Sequence, residues 1–209
     1  MISKMRVWLA ILVIFGAAAS ASAVEVSGLG IKAGVNFTKL TGSDVDANWK
    51  TRTALVAGAF LTLKFNDILA IQPEILYSQK GPKWDAPLDG QAFDGTVNLS
   101  YLEIPVLVKF YIPTGVASRV HPHVFVGPYF AFKMDAKLNY TWGGVSDERT
   151  LDTIKSTDLG YVTGAGIDFG VGKGKLTLDV RYGASFSAIA TDSTEKNQTI
   201  SAMIGYSFK

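Results

Sequence analysis

The stretch Leu99-Ser-Tyr-Leu-Glu-Ile-Pro-Val-Leu-Val-Lys-Phe-Tyr-Ile112 decides how the rest of the chain is read. Side chains of a strand alternate between its two faces, which places Leu102, Ile104, Val106, Val108 and Phe110 together. The other face holds Tyr101, Glu103, Pro105, Leu107, Lys109 and Tyr111, with a carboxylate and an ammonium among them. The segment is too rich in β-branched and aromatic residues to favour a helix. Such a strand sets its apolar face against a core or against lipid, and the remaining segments decide which.

Seven further segments alternate in the same way, at about 30–38, 53–65, 69–80, 123–134, 158–169, 175–186 and 199–208. Helical periodicity of comparable length is absent. The connections expected after the first, third, fifth and seventh strands are long (39–52, 81–96, 135–157 and 187–198), and the others are short (66–68, 113–122 and 170–174). An even strand number with every long loop at one end is the pattern of a transmembrane barrel, with short periplasmic turns and long extracellular loops. The expected fold is all-β: an eight-stranded antiparallel up-and-down transmembrane β-barrel over residues 24–209.

Residues 1–23 read as a cleaved signal peptide. Lys4 and Arg6 precede an apolar run from Val7 to about Ala19, and the segment closes on Ala21-Ser22-Ala23. The whole chain holds 20 Lys and Arg against 18 Asp and Glu, so removing Lys4 and Arg6 leaves a formally neutral domain. No basic excess survives for a nucleic-acid partner. The chain has no cysteine, which excludes disulfides, thiolate catalysis and cysteine metal sites. A single domain is expected, since no linker-like or long charged run divides it.

A soluble, lipocalin-like ligand-binding barrel would also alternate, with its apolar face turned inward. The polar face separates the two. A water-exposed surface carries about 25–35% charged residues, whereas this face is rich in Gly, Ser and Thr. Gly34, Gly58, Gly160, Gly164, Gly166, Gly183 and Gly205 suit a narrow lumen in which they leave room for larger side chains. Aromatic residues near strand ends, such as Tyr77, Phe110, Tyr161, Phe169, Tyr206 and Phe208, fit interfacial girdles.

The segments Gly30-Ile-Lys-Ala-Gly-Val-Asn-Phe37, Gln72-Pro-Glu-Ile-Leu-Tyr-Ser-Gln-Lys-Gly81, Tyr101-Leu-Glu-Ile-Pro-Val-Leu-Val-Lys-Phe-Tyr111, Gly127-Pro-Tyr129 and Gly205-Tyr-Ser-Phe208 resemble the PorT-type outer-membrane β-barrel family, common in Bacteroidetes-like bacteria. The resemblance spans nearly the whole mature chain. It implies location and fold, and for some members a tie to secretion, but no mechanism. The end of the chain also resembles the terminal assembly signal of outer-membrane proteins, alternating apolar residues that end on an aromatic, from which Lys209 departs by following Phe208.

Glu74, Glu103, Lys109, Asp179 and Arg181 fall on the polar face and are expected to form a charge network inside the lumen. Unpaired charges there are costly, so opposite signs should meet. Glu74 and Glu103 read alternatively as a catalytic carboxylate pair, a role less suited to a filled lumen. His121-Pro122-His123 places two imidazoles on one extended segment, either as a metal pair or as part of a periplasmic turn, and no third ligand lies near in sequence. Gly28-Leu-Gly-Ile-Lys-Ala33 matches a dinucleotide fingerprint without the helix it requires, and Gly170-Val-Gly-Lys-Gly-Lys175 suits a tight turn better than a phosphate loop. Trp49, Trp84 and Trp142 each fall in a long loop, as interface anchors or as external contacts.

These observations predict a monomeric, non-enzymatic barrel in contact with outer-membrane lipid, with no catalytic, cofactor or metal residues and with a protein or small-molecule partner at its extracellular loops. A barrel enzyme is the competing class, disfavoured because both histidines fall on the periplasmic side. Pro73, Pro105 and Pro128 lie in consecutive strands, where a closed ring offers no edge to hold them. A bulge or a missing ladder bond is expected there, with a local change of facing at Val106-Leu-Val108.

Overall fold

The computed structural model describes residues 25–43, 45, 48–85, 87, 90–115, 118–190 and 193–208; the expected signal peptide lies outside them. Eleven strands form among the described residues: β1 (Glu25–Thr41), β2 (Trp49–Lys50), β3 (Arg52–Lys64), β4 (Leu69–Lys80), β5 (Lys83–Asp85), β6 (Phe93–Tyr111), β7 (Val120–Trp142), β8 (Val145–Thr150), β9 (Thr157–Val171), β10 (Gly174–Ser185) and β11 (Lys196–Phe208). Eight of them close an antiparallel ring in the order β1-β3-β4-β6-β7-β9-β10-β11, and β11 returns to β1. This is the up-and-down barrel that the alternation predicts.

The faces settle which solvent the outside meets. On β1, Ile31 is 62% exposed while its neighbour Lys32 is 4% exposed, and the same contrast recurs around the ring. Val124 and Val126 on β7, Val180 on β10 and Ile200 and Ile204 on β11 all point outward. Asn36, Glu74, Lys109, Asp179 and Arg181 are buried inside. A soluble barrel has the opposite arrangement.

One side of the ring rises above the rest. β6 starts six residues earlier than the alternation suggests, and β7 runs eight residues further. A bulge makes this extension compatible with the ring: Tyr101 opposes Lys133 while Ser100 opposes Asp135, so Met134 has no partner. Before the bulge, odd-numbered residues such as His123, Phe125 and Tyr129 face the lumen. After it, even-numbered residues continue that face, beginning with Ala136. Gly143 and Gly144, at φ of 56° and 85°, then turn the chain into β8 through the two-residue hairpin that demands positive φ at both positions. With β2 and β5 on the other flank, the result is a five-stranded wall above the ring.

The prolines cluster, though not as a bulge. Pro73 opposes Val106, and the β6–β7 register places Val106 beside Pro128, so the three form one row across neighbouring strands. The ladders are interrupted there: β3–β4 between Phe60 and Leu63, β4–β6 between Val106 and Glu103, and β6–β7 between Pro105 and Val108. Register is unchanged on either side of each gap, because a missing donor removes a bond without adding a residue. Nor does the facing change, since Leu107 is fully buried and the alternation of β6 runs through it.

Candidate functional site

Two separate charge clusters fill the lumen. In the first, β1 supplies Lys32, β4 Glu74, and β10 both Asp179 and Arg181. Arg181 Nη1 and Nη2 donate to the two oxygens of Glu74 at 2.6 and 2.9 Å, and Nη2 also donates to Asp179 at 2.8 Å. Lys32 Nζ lies 2.8 Å from Glu74 and 3.0 Å from Asp179. Lys109 joins through Gln72 at 3.1 Å and Asp168 at 3.9 Å, with Gln72 donating to Glu74 at 2.6 Å. The bidentate guanidinium geometry suits a buried carboxylate, which needs its charge and both its oxygens met.

Glu103 belongs elsewhere. It pairs with Lys80 at 2.7 Å in a second cluster, where Asp158 accepts from Ser185 at 2.8 Å and from Tyr129 at 3.1 Å. The five charged residues picked out from the sequence therefore all face inward, but four sit in one cluster and Glu103 in the other. Lys32, Lys80, Asp158 and Asp168 complete the sets; each stands on the polar face of its strand, and only the ring's pairing reveals its partner.

The histidines stand within β7 rather than in a turn. His123 is buried, with Nε2 3.3 Å from Asp179 and Nδ1 3.8 Å from Asp168. Gly166 on β9 makes room, since a Cβ there would lie 2.6 Å from His123 Nε2. Both ring nitrogens thus lie within 4 Å of a buried carboxylate. Among the described residues no group of three or more His, Asp and Glu suits a metal. The 28–33 fingerprint lies in β1, and 170–175 spans the β9–β10 hairpin with Gly172 at φ 60°.

An apolar cluster begins among the charges with Leu107, Phe125 and Tyr129 and continues above them, where Leu40, Val97, Leu99, Ala136, Ile154 and Ile189 fill the lumen with Trp49, Leu151 and Ala190 packed against them. Ile154 bridges to Ala190, and Lys155 N donates to Ile189 O at 2.9 Å. Residues 151–156, after β8, and 186–190, after β10, thus meet over the mouth.

The three tryptophans lie in strands, which corrects the expectation of loops. Trp49 is in β2, Trp84 in β5 and Trp142 at the end of β7, because the segments around them extend the sheet above the ring. Cross-strand partners share a face. Trp49 opposes Trp84, Trp84 opposes Gly95, Gly95 opposes Tyr140, and Phe93 opposes Trp142. All five aromatics therefore stand on the wall face continuous with the lumen. Trp49 and Trp84 meet edge to face at 5.1 Å, Phe93 stacks on Tyr140 at 6.0 Å, and Trp142 is 44% exposed. On the wall, the Glu148 carboxylate bonded to Lys137 at 2.7 Å raises that ammonium's pKa, and Asp147 beside Tyr140 raises the phenol's.

The family model for the outer membrane protein beta-barrel domain matches residues 20–190. No curated protein matches at the sequence level. Among solved structures, Ail, the attachment invasion locus protein of Yersinia pestis, is 16% identical, covering 87% of this chain and 99% of that one at a TM-score of 0.44. Neisserial surface protein A is 15% identical over 88% and 99% at 0.46. The outer membrane enzyme PagL is 11% identical over 84% and 97% at 0.43. These likenesses carry no functional argument.

Proposed function

The chain belongs to the outer membrane protein beta-barrel domain family, and from that premise we propose a sealed, non-enzymatic barrel that binds a partner on the aromatic face of its wall. The observation that carries the reading is the filled lumen. The cavity lined by Arg181, Glu103 and Tyr129 holds about 20 Å³, room for one water and not for a solute. Ring closure leaves a single chain without unpaired ring edges, consistent with a monomer. The short turns then face the periplasm, and the wall stands outside. Export follows from the segment 1–23, and placement in the PorT-type branch rests on the motifs around Gln72, Tyr101 and Gly127.

The geometry gives catalysis little to work with: the side chains of His123, Asp168 and Asp179 are buried and held in ion pairs, Asp179 by Lys32 and Arg181 and Asp168 by Lys109. The wall offers what the lumen does not, a partly exposed aromatic surface of the kind enriched at interfaces.

Two measurements test this. The mature protein is expected to resist alkaline carbonate extraction, to run faster on gels when unboiled, and to give no discrete conductance steps in planar bilayers. Recovery from the periplasm or stable open-channel currents would overturn the sealed-barrel reading. Trp49, Trp84 and Trp142 are the tryptophans outside the expected leader, so intrinsic fluorescence reports on this face directly. Saturable quenching or shift by envelope glycans or surface-protein extracts, lost in Trp142→Ala with Phe93→Ala, is expected of a binding wall. Binding that survives both changes places the partner elsewhere.

A further inference from the structure

We propose that the lumen holds a single ordered water, bound by Arg181 Nε–H and the Thr199 hydroxyl, at the point where the two charge clusters approach each other. Arg181 spends Nη1 and Nη2 on Glu74 and Asp179, and its Nε has no partner although the side chain is buried. Thr199 on β11 is likewise buried, and its Oγ1 has no partner. Both residues line the same cavity of about 20 Å³. Two orphaned polar groups converge on one space of one size.

The size selects the ligand. A site needs roughly 10–15 Å³ to take a water, which then makes two to four hydrogen bonds to groups otherwise unsatisfied. Lys80, Glu103 and Tyr129 of the second cluster line the same cavity. Glu103 Oε2 is ion-paired to Lys80 at 2.7 Å and has no other partner, which leaves this lining residue with acceptor capacity to spare. An anion would meet Glu103, and a metal cation would meet Arg181 and Lys80. An apolar guest would leave Nε–H and the hydroxyl unpaired. Water alone accepts from Arg181, donates to Glu103 and exchanges either role with Thr199.

The water makes the lumen one connected network. Without it the described hydrogen bonds and ion pairs run from Lys109 through Gln72, Glu74 and Arg181 to Asp179, and separately from Glu103 through Lys80 to Asp158. The bound molecule links Arg181 to Glu103 and lets a displacement of either strand be felt by the other.

Water-selective NMR on the mature, ¹⁵N-labelled barrel in phospholipid nanodiscs tests this. Expected is a cross-peak between Arg181 Nε–H and a long-lived water, of the sign a rigidly held molecule gives. Thr199→Ser should keep it, and Thr199→Val, matched in shape, should weaken or abolish it. Absence of the cross-peak in the folded wild-type protein overturns the proposal even if neither variant folds. A cross-peak unchanged in a folded Thr199→Val barrel also overturns it, because the water then rests on other groups.

Discussion

The lumen near the short turns and the mouth beneath the wall are filled by opposite chemistry. Near the turns, Lys32, Glu74, Asp179 and Arg181 join strands that lie 42 to 147 residues apart, through contacts that fail if one strand slips by a single residue. At the mouth, Leu40, Leu99, Ile154 and Ile189 pack without directional partners. Ion pairs of fixed geometry specify register, because a slip reverses every facing. Apolar packing only requires volume. The first region thus dictates which barrel forms, and the second closes it.

The contrast breaks first at Arg181. Arg181→Leu removes three short bonds and leaves Glu74 and Asp179 under-compensated, and it is expected to cost about 3–5 kcal/mol in urea unfolding from lipid vesicles. A cost under about 1 kcal/mol would mean that the lumen is plastic and that register is set elsewhere. Glu103→Leu strands Lys80, but Asp158 stays 4.0 Å from the ammonium, so a smaller loss of about 1–3 kcal/mol is expected by the same measurement. In the apolar cap, Ile154→Val should cost about 0.5–1.5 kcal/mol and leave planar bilayers silent. Conductance in that variant would show that the cap alone seals the barrel.

The smallest effect belongs to the wall. The Lys137–Glu148 pair, whose bond holds the Lys137 pKa above its ordinary value, is complete below the usual lysine range and is lost as pH rises through the raised value. Both partners lie in water, so Lys137→Ala and alkaline titration should each leave the unfolding midpoint unchanged. A measurable shift would make the wall part of the cooperative barrel.

Alternation made the ring legible: 69–80 matches β4 residue for residue, and the inward polar face needs only a period of two. The wall was hidden by local composition. Asp94, Gly95 and Asn98 are poor strand formers, and the unpaired Met134 breaks the period just where β7 continues. His123 opened the expected strand 123–134, but its burial was illegible, because the space for its ring is provided by Gly166, more than forty residues away. Which base meets which acid was illegible for the same reason: Lys80 chooses Glu103 through the neighbouring β6, and Arg181 reaches Glu74 across the lumen. One-dimensional spacing carries facing and not partnership.

The row formed by Pro73, Val106 and Pro128 gives the barrel a soft quadrant. On the opposite side, β1 and β11 pair through thirteen consecutive residues and β9 and β10 through twelve, a stiff half-hoop. Hydrogen bonds act as springs that fix the spacing between staves, and three adjacent seams lack some of theirs. The seams through the proline row are therefore the least braced against lateral load, and the far half is the most. The wall rises from β6 and β7 themselves, a mast stepped on the least braced planks of the hull.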